Sequence, residues 1–188
     1  MRKKNTQLLP QRLQNILNKI NFLEIEKEAQ KAIEWSEQTN NHMIFENDAH
    51  YPKLLQEISD PPPVLYVKGN LDILNYPQIA IVGARNMSRY GQKNASAFAK
   101  ALAQRNIVIT SGLARGIDTT AHQSAVNTIS RTGSCIAVMG TGLNYIYPNQ
   151  NKKLAEQILA QNGALISELP LDTTVNKINF PRRNRIIS

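Results

Sequence analysis

Short apolar runs alternate with helical patterns along most of the chain, and this alternation constrains the fold more than any other feature. The runs cover residues 79–82, 107–110, 135–139 and 164–167. Helical patterns separate them at 90–104, 117–127 and 151–161. Continuously apolar strands joined by helices are typical of βαβ units, in which both faces of a parallel sheet are covered. We therefore predict an α/β fold with a doubly wound, mostly parallel Rossmann-like sheet.

The N-terminal part of the chain has a different pattern. Apolar residues recur near helical spacing in 13–20 and 23–35, which predicts a short helical segment. Strands are expected at 42–45 and 64–67, with a small helix at 52–58 and a stiff connector at Asp60-Pro61-Pro62-Pro63. We predict a helical lead-in over residues 1–41 and a Rossmann-like domain over 42–188.

Positive charge is concentrated in the α/β part. Residues 1–72 carry 9 Lys+Arg and 10 Asp+Glu, whereas residues 73–188 carry 13 Lys+Arg and 4 Asp+Glu. No acidic residue occurs between Ile73 and Ile117, although six basic ones do. Such an imbalance favours a polyanionic partner, most commonly nucleic acid, and a solvated basic surface is the alternative.

Several classes of protein are disfavoured by composition. Cys135 is the single cysteine, which excludes an internal disulfide framework and a cysteine-based zinc site. No apolar run approaches the roughly 18 residues that a membrane span needs. The basic N-terminus is not followed by the apolar core of a secretory signal. We expect a cytoplasmic protein without a membrane partner.

Three of the predicted strands end in glycine-bearing turns that lead toward helices. The carboxyl ends of the strands in such a sheet share one edge, where glycine and helix N-termini suit phosphate. A guanidinium beside such a turn could bind a phosphate through two oxygens, whereas glycines that only close tight turns are the alternative. The predicted binding residues in these turns are Gly83, Arg85, Ser88, Gly112, Arg115, Gly140 and Gly142.

Known nucleotide fingerprints and catalytic constellations are weak. The G-x-G-x-x-G pattern fails at Tyr145, and no phosphate loop of the G-x-x-x-x-G-K type occurs. Asp118 and His122 lie four residues apart on a predicted helix and could form an acid–base pair. The alternative is that Asp118 caps N–H groups while a partly buried His122 orders the turn, and we predict this structural role. No catalytic residue, cofactor or metal is predicted.

The last nine residues contain the densest basic cluster. Arg182, Arg183 and Arg185 follow Phe180, so the cluster could contact phosphates and stack a base. Tyr145 and Tyr147 are further candidates for stacking, and a solvated helix start with core tyrosines is the alternative.

Five motifs together resemble the DprA/Smf family of DNA-processing proteins of natural transformation. The motifs are Tyr51-Pro52 through Pro62, Ile81-Val82-Gly83-Ala84-Arg85, Ser111 through Asp118 with Ala121-His122, Gly140 through Asn144 with Tyr147-Pro148, and Phe180 through Ile187. They occur in order from about residue 42 to the end of the chain.

The resemblance implies a domain that binds single-stranded DNA, helps load RecA recombinase, forms a homodimer and has no established catalytic reaction. The family's Gly-Ser-Arg motif reads Gly83-Ala84-Arg85 here, so the glycine and arginine carry over and the hydroxyl is lost. Lys152 or Lys153 matches a lysine of the family's basic pocket. The family commonly has a helical domain before the Rossmann-like part, so the resemblance implies that the lead-in over 1–41 is a remnant of that domain. The chain stops inside the last motif, so we expect a Rossmann-like domain that is incomplete at its C-terminal end, in a fragment or truncated product that lacks the RecA and dimer surfaces.

Two enzyme classes are the alternatives to a DNA-binding protein. A phosphoribohydrolase of the lysine-decarboxylase-like type needs a P-G-G-x-G-T motif with a nearby Glu, which the sequence lacks. An NAD-dependent oxidoreductase lacks its acidic ribose ligand.

Overall fold

A computed structural model describes residues 21–128 and 135–188 of the chain. Within them lies one six-stranded sheet in the order β1-β2-β6-β5-β4-β3. The strands are β1 Asn41–Phe45, β2 Val64–Gly69, β3 Gln78–Ala80, β4 Val108–Ser111, β5 Cys135–Val138 and β6 Ala164–Ser167. The helices are α1 Phe22–Ser36, α2 Lys53–Gln56, α3 Arg89–Ala103, α4 Ile117–Val126, α5 Lys152–Ala160 and α6 Asn179–Ile187, with 3-10 turns at Asp72–Asn75 and Asn149–Asn151.

The sheet is mostly parallel, as predicted. β3, β4, β5 and β6 pair in parallel, while β2 is antiparallel to both β6 and β1. Each of the strands β4 to β6 lies beside the strand that precedes it, so the sheet grows in one direction. Right-handed crossovers in one direction bring the connecting helices to the same face.

Both faces of the sheet are covered, but by different kinds of element. Ile109, Ala137 and Leu165 belong to one buried cluster with residues of α1, α3, α4 and α5. Their neighbours in sequence, Val108, Ile136 and Ile166, belong to a second cluster with α2, the Asp72–Asn75 turn and the end of α6. This strict alternation follows from the two-residue period of a strand.

The lead-in helix packs on the sheet through few residues. Ala32 and Trp35 are its buried positions, and the Trp35 ring meets Tyr66 of β2 edge-on at 6.1 Å between centroids. The helical pattern at 23–35 is thus confirmed as α1, whereas the pattern at 13–20 lies outside the described residues. No helix of the described part is long and apolar enough to cross a membrane.

Candidate nucleic-acid interface

The first two glycine-bearing loops contact each other directly. Gly116 has φ of +82°, and a Cβ there would lie 2.6 Å from the Arg85 carbonyl oxygen, so glycine is required. The N–H of Ile117 donates to the Ala84 carbonyl at 3.3 Å. The Ser111 hydroxyl donates to the Ile81 carbonyl at 2.6 Å. The predicted convergence of these two loops is confirmed.

Aromatic rings join the third loop to the first. The Tyr147 and Phe180 ring centroids are 5.5 Å apart, and the Arg85 Cζ atom lies 5.8 Å from the Phe180 centroid, in cation–π range. These three residues line a cavity of about 420 Å³, together with Asn86 and Arg115. We call it the Arg85 cavity. It combines two guanidinium groups with two aromatic rings, an arrangement that can hold a phosphate beside a stacked base.

Arg85 and Arg115 keep their positive charge available. Both side chains are exposed, and in residues 21–128 and 135–188 no carboxylate lies within 4 Å of either guanidinium. An incoming anion therefore does not have to displace an internal partner.

Three of the predicted glycines contact their own chain. Gly112, Gly140 and Gly142 are buried. A Cβ at Gly112 would lie 2.6 Å from Arg183 Cζ, one at Gly140 would lie 2.7 Å from the Phe180 ring, and one at Gly142 would collide with main-chain oxygens of Pro170 and Leu171. The last 20 residues make these close approaches, so Gly140 and Gly142 are covered by the chain itself, whereas Gly112 also lines the Arg85 cavity. Gly83 is exposed and lies against Ile117.

Asp118 holds the second loop. It is 5% exposed, and its Oδ2 accepts hydrogen bonds from the N–H groups of Gly112 at 3.1 Å and Ala114 at 3.4 Å. Burial raises the pKa of this carboxyl, while the loop N–H groups and the nearby Arg183 charge oppose the increase. The predicted role as a cap of N–H groups is confirmed.

His122 is fully buried one turn further along α4. Burial lowers its pKa to about 4, so the imidazole is neutral at pH 7. A neutral ring without exposed surface cannot reach a ligand in this conformation, which supports the structural interpretation over the acid–base pair.

Arg183 lies inside the protein. It is 4% exposed, and its Nη1 donates to the Gly112 carbonyl at 2.8 Å and also to the Val138 carbonyl. Burial lowers its pKa, and the Asp118 carboxylate opposes that decrease. The prediction that Arg183 contacts DNA is corrected on this point, because its donors serve the ends of β4 and β5.

Arg185 and Arg182 lie on the opposite side of α6 and face Glu168. Arg185 donates two hydrogen bonds to the Glu168 carboxylate, at 2.7 and 2.6 Å, and its Nε lies 3.1 Å from Asp60 Oδ2. Arg182 is more exposed, and its Nε is 3.9 Å from Glu168. The structure thus differs from the predicted phosphate role of Arg185, whose charge is already paired.

The remaining predicted residues do not line the Arg85 cavity. The Ser88 hydroxyl accepts from the Gly91 N–H at 3.0 Å, so it caps α3. Lys152 and Lys153 are exposed at the start of α5 and do not line the Arg85 cavity. Sequence reasoning missed Asn86, in the first loop, and Lys177, which lines an adjoining cavity of about 670 Å³ with Arg85 and Phe180. Only the surplus of basic residues after position 73 could have indicated Lys177.

Comparison with known proteins identifies the family. A family model described as DNA recombination-mediator protein A matches residues 42–188. The chain belongs to this family. Protein Smf of Escherichia coli is 46% identical over 162 residues, which are 86% of this chain and 42% of that protein. The DNA processing protein DprA of Streptococcus pneumoniae is 43% identical over 141 residues, or 75% of this chain and 48% of that protein. The chain thus spans somewhat less than half the length of these family members.

Solved structures of two family members share the fold. The crystal structure of DprA from Streptococcus pneumoniae has a TM-score of 0.74 and 37% identity, over 89% of this chain and 54% of that one. A structure of the Helicobacter pylori family member, described by its single-stranded DNA binding mode, has a TM-score of 0.68 and 32% identity, over 78% and 64%. The predicted Rossmann-like α/β fold and family resemblance are confirmed. The DprA relative is named a DNA processing protein, and neither it nor Protein Smf is named after an enzymatic reaction.

Proposed function

We propose that this chain binds single-stranded DNA in the Arg85 cavity, as part of a DNA-processing protein of natural transformation. The observation that carries the proposal is the joint lining of one cavity by Arg85, Arg115, Tyr147 and Phe180. The single-stranded DNA binding described for the Helicobacter pylori family member supports it.

The chemistry of the cavity favours contacts with the phosphates of the DNA backbone and stacking of DNA bases. Guanidinium groups bind phosphate oxygens as a planar fork and carry no base preference in doing so. Aromatic faces stack on any base, at about 1–3 kcal/mol per base. The bases of a single strand can reach Tyr147 and Phe180, whereas those of a duplex are already stacked on each other.

The proposed binding set is smaller than the sequence suggests. It contains Arg85 and Arg115 with the two rings, and Lys177 and Asn86 join it from the cavity walls. Arg183 and Arg185 also line the cavity of about 670 Å³, but they are left out because Arg183 bonds buried main-chain carbonyls and Arg185 is paired with Glu168. Arg182, Lys152 and Lys153 stay predictions for a longer path of the strand.

The proposed role is binding without catalysis. Of the acid–base candidates, Asp118 lines the adjoining cavity but its carboxylate is held by loop N–H groups, and His122 is fully buried. No group of three or more possible metal ligands occurs within residues 21–128 and 135–188. RecA recombinase and a second protein copy are the protein partners that the family resemblance implies, and we propose them for the whole protein.

Affinity for single-stranded DNA should fall steeply with salt. If about four phosphates are neutralised, the slope of log affinity against log salt should be roughly −3, at about −0.7 per phosphate. A gel shift or fluorescence anisotropy titration with an oligothymidylate measures this slope. Parallel assays for hydrolysis of nucleoside monophosphates test the phosphoribohydrolase alternative. A flat salt dependence, or turnover that His122→Ala abolishes in a folded protein, would contradict the proposal.

Arg85→Ala should weaken binding to all oligonucleotides alike. Loss of one phosphate contact lowers affinity by about fivefold at 0.1 M salt and makes the salt slope shallower by about 0.7. Arg105→Ala is the matched control, because Arg105 is exposed in the same basic segment, bonds the Ala101 carbonyl and does not line the cavity. Equal losses of affinity in the two variants, or a loss of affinity for oligonucleotides of only one base, would show that Arg85 does not bind a phosphate.

A further inference from the structure

A second basic cavity lies between α3 and α4. It has a volume of about 660 Å³ and is lined by Arg89, Lys93 and Arg115, with the neutral residues Gln92, Ser96 and Thr120 among the others. We call it the α3–α4 groove. None of the described residues that line it carries a carboxylate. The groove therefore presents three cations and several neutral polar groups to whatever enters.

The two helices hold these cations in a defined arrangement. Arg89 and Lys93 are four residues apart on α3, so they lie on one face about one helical turn apart. The Ser124 hydroxyl of α4 donates to the Ser96 hydroxyl of α3 at 2.8 Å and links the helices within the groove. Buried alanines of both helices, Ala99 and Ala121, belong to the core beneath. Arg89 and Lys93 are thus mounted on a rigid helix pair and not on a loop.

The cations of the groove have no internal counter-ion in the described part of the chain. Arg89, Lys93 and Arg115 are exposed, and within residues 21–128 and 135–188 no carboxylate lies within 4 Å of their charged nitrogens. Three such cations around one concave surface raise the local concentration of anions. Their charges are therefore available to an anionic ligand and are not used in salt bridges with these residues.

Arg115 connects the groove to the Arg85 cavity, because it lines both. We propose that the α3–α4 groove is a second phosphate-binding surface, which takes the sugar–phosphate backbone of the DNA strand as it leaves the Arg85 cavity. This inference rests on the proposed function. It adds that one continuous strand contacts both surfaces and that Arg89 and Lys93 bind only strands long enough to pass Arg115.

The groove differs from the Arg85 cavity in the part of the strand that it can bind. No aromatic ring of the described residues lines the groove, so no base stacks on them there. Its cations and neutral polar groups match phosphate and sugar oxygens. The groove therefore adds affinity that grows with strand length and weakens as the salt concentration rises, without base preference.

The test is a length series of oligothymidylates from about 4 to 20 nucleotides, which spans the roughly 4–16 nucleotides of typical single-strand sites. The double variant Arg89→Gln/Lys93→Gln removes two groove cations and keeps good helix formers. It should bind the shortest strands like the wild type and bind long strands about 25-fold more weakly at 0.1 M salt. This figure assumes that two phosphate contacts are lost and that each contributes about 0.7 to the slope of log affinity against log salt. Circular dichroism melting checks that both proteins are equally folded.

Lys100→Gln/Arg105→Gln is the matched control, since it removes one lysine and one arginine of the same segment that do not line the groove. It should show no growing deficit with length. Three results would contradict the proposed role of the groove and leave the proposed role of the Arg85 cavity standing. The groove variant could lose the same affinity at every strand length, lose none at any length, or lose as much as the control. If the wild type binds no oligonucleotide, both proposals fail.

Discussion

Replacement of Arg183 by methionine should lower the free energy of unfolding by about 3 kcal/mol. The guanidinium is buried and donates to the carbonyls of Gly112 and Val138, so its removal leaves two buried acceptors without this donor. It also removes a positive charge that acts on the buried Asp118 carboxylate. Methionine fills most of the volume, so the loss reports mainly on hydrogen bonds and charge.

Urea unfolding followed by circular dichroism measures the effect, with Arg182→Met as the matched control. Arg182 is the preceding residue, its side chain is 61% exposed, and its weak ion pair with Glu168 spans 3.9 Å. Its loss should cost under about 1 kcal/mol. Arg183→Lys, which keeps the charge but not the planar fork, should fall between the two. Equal stabilities of the two methionine variants would refute the internal role of Arg183.

Acidification below pH 6.5 should destabilise the protein through His122 by about 3 kcal/mol, since each pKa unit corresponds to about 1.4 kcal/mol. Burial lowers the pKa of His122 in the folded state to about 4 from an ordinary value of 6.5. Above pH 6.5 the ring is neutral in both states, so its full contribution is present. Between pH 6.5 and about 4 only the unfolded chain takes up the proton, and the folded state loses stability progressively.

The measurement is the free energy of unfolding at several pH values between 7 and 4, for the wild type and for His122→Leu. The variant should lose this part of the pH dependence, although its stability at pH 7 is also lower because of repacking. Asp118 acts in the opposite direction, because its pKa is raised by burial and protonation relieves the cost of burying its charge. The difference between the two proteins therefore isolates the histidine. Parallel pH profiles would contradict a buried, neutral His122.

The local pattern of the sequence was sufficient to predict the sheet and the meeting of its loops. Strand β6 has the predicted bounds, and the other strands agree to within two residues at each end. Apolar runs of strand length and periodic helices depend on neighbours in sequence, so their signal is local. The rule that parallel strands end at one edge then brings together the loops that contain Arg85, Arg115 and Tyr147.

Local sequence patterns do not predict which side of the sheet each helix covers. That choice depends on strand order, and the order β6-β5-β4-β3 arises from pairing between distant segments. The helical period places Arg182 and Arg185, three residues apart, on a face to which Arg183 does not belong. It does not indicate which face is buried.

The sequence by itself therefore determined the α/β class, the family, the converging glycine-bearing loops and the cap at Asp118. Only the tertiary structure decided that Arg183 bonds a carbonyl 71 residues away, that Arg185 pairs with Glu168, and that Gly112 and Gly140 make room for Arg183 and Phe180. The physical reason is that an arginine has the same charge and donors whether it faces a phosphate or a main-chain carbonyl. Packing between segments far apart in sequence chooses between these partners, and that choice leaves Arg85 and Arg115 at the surface.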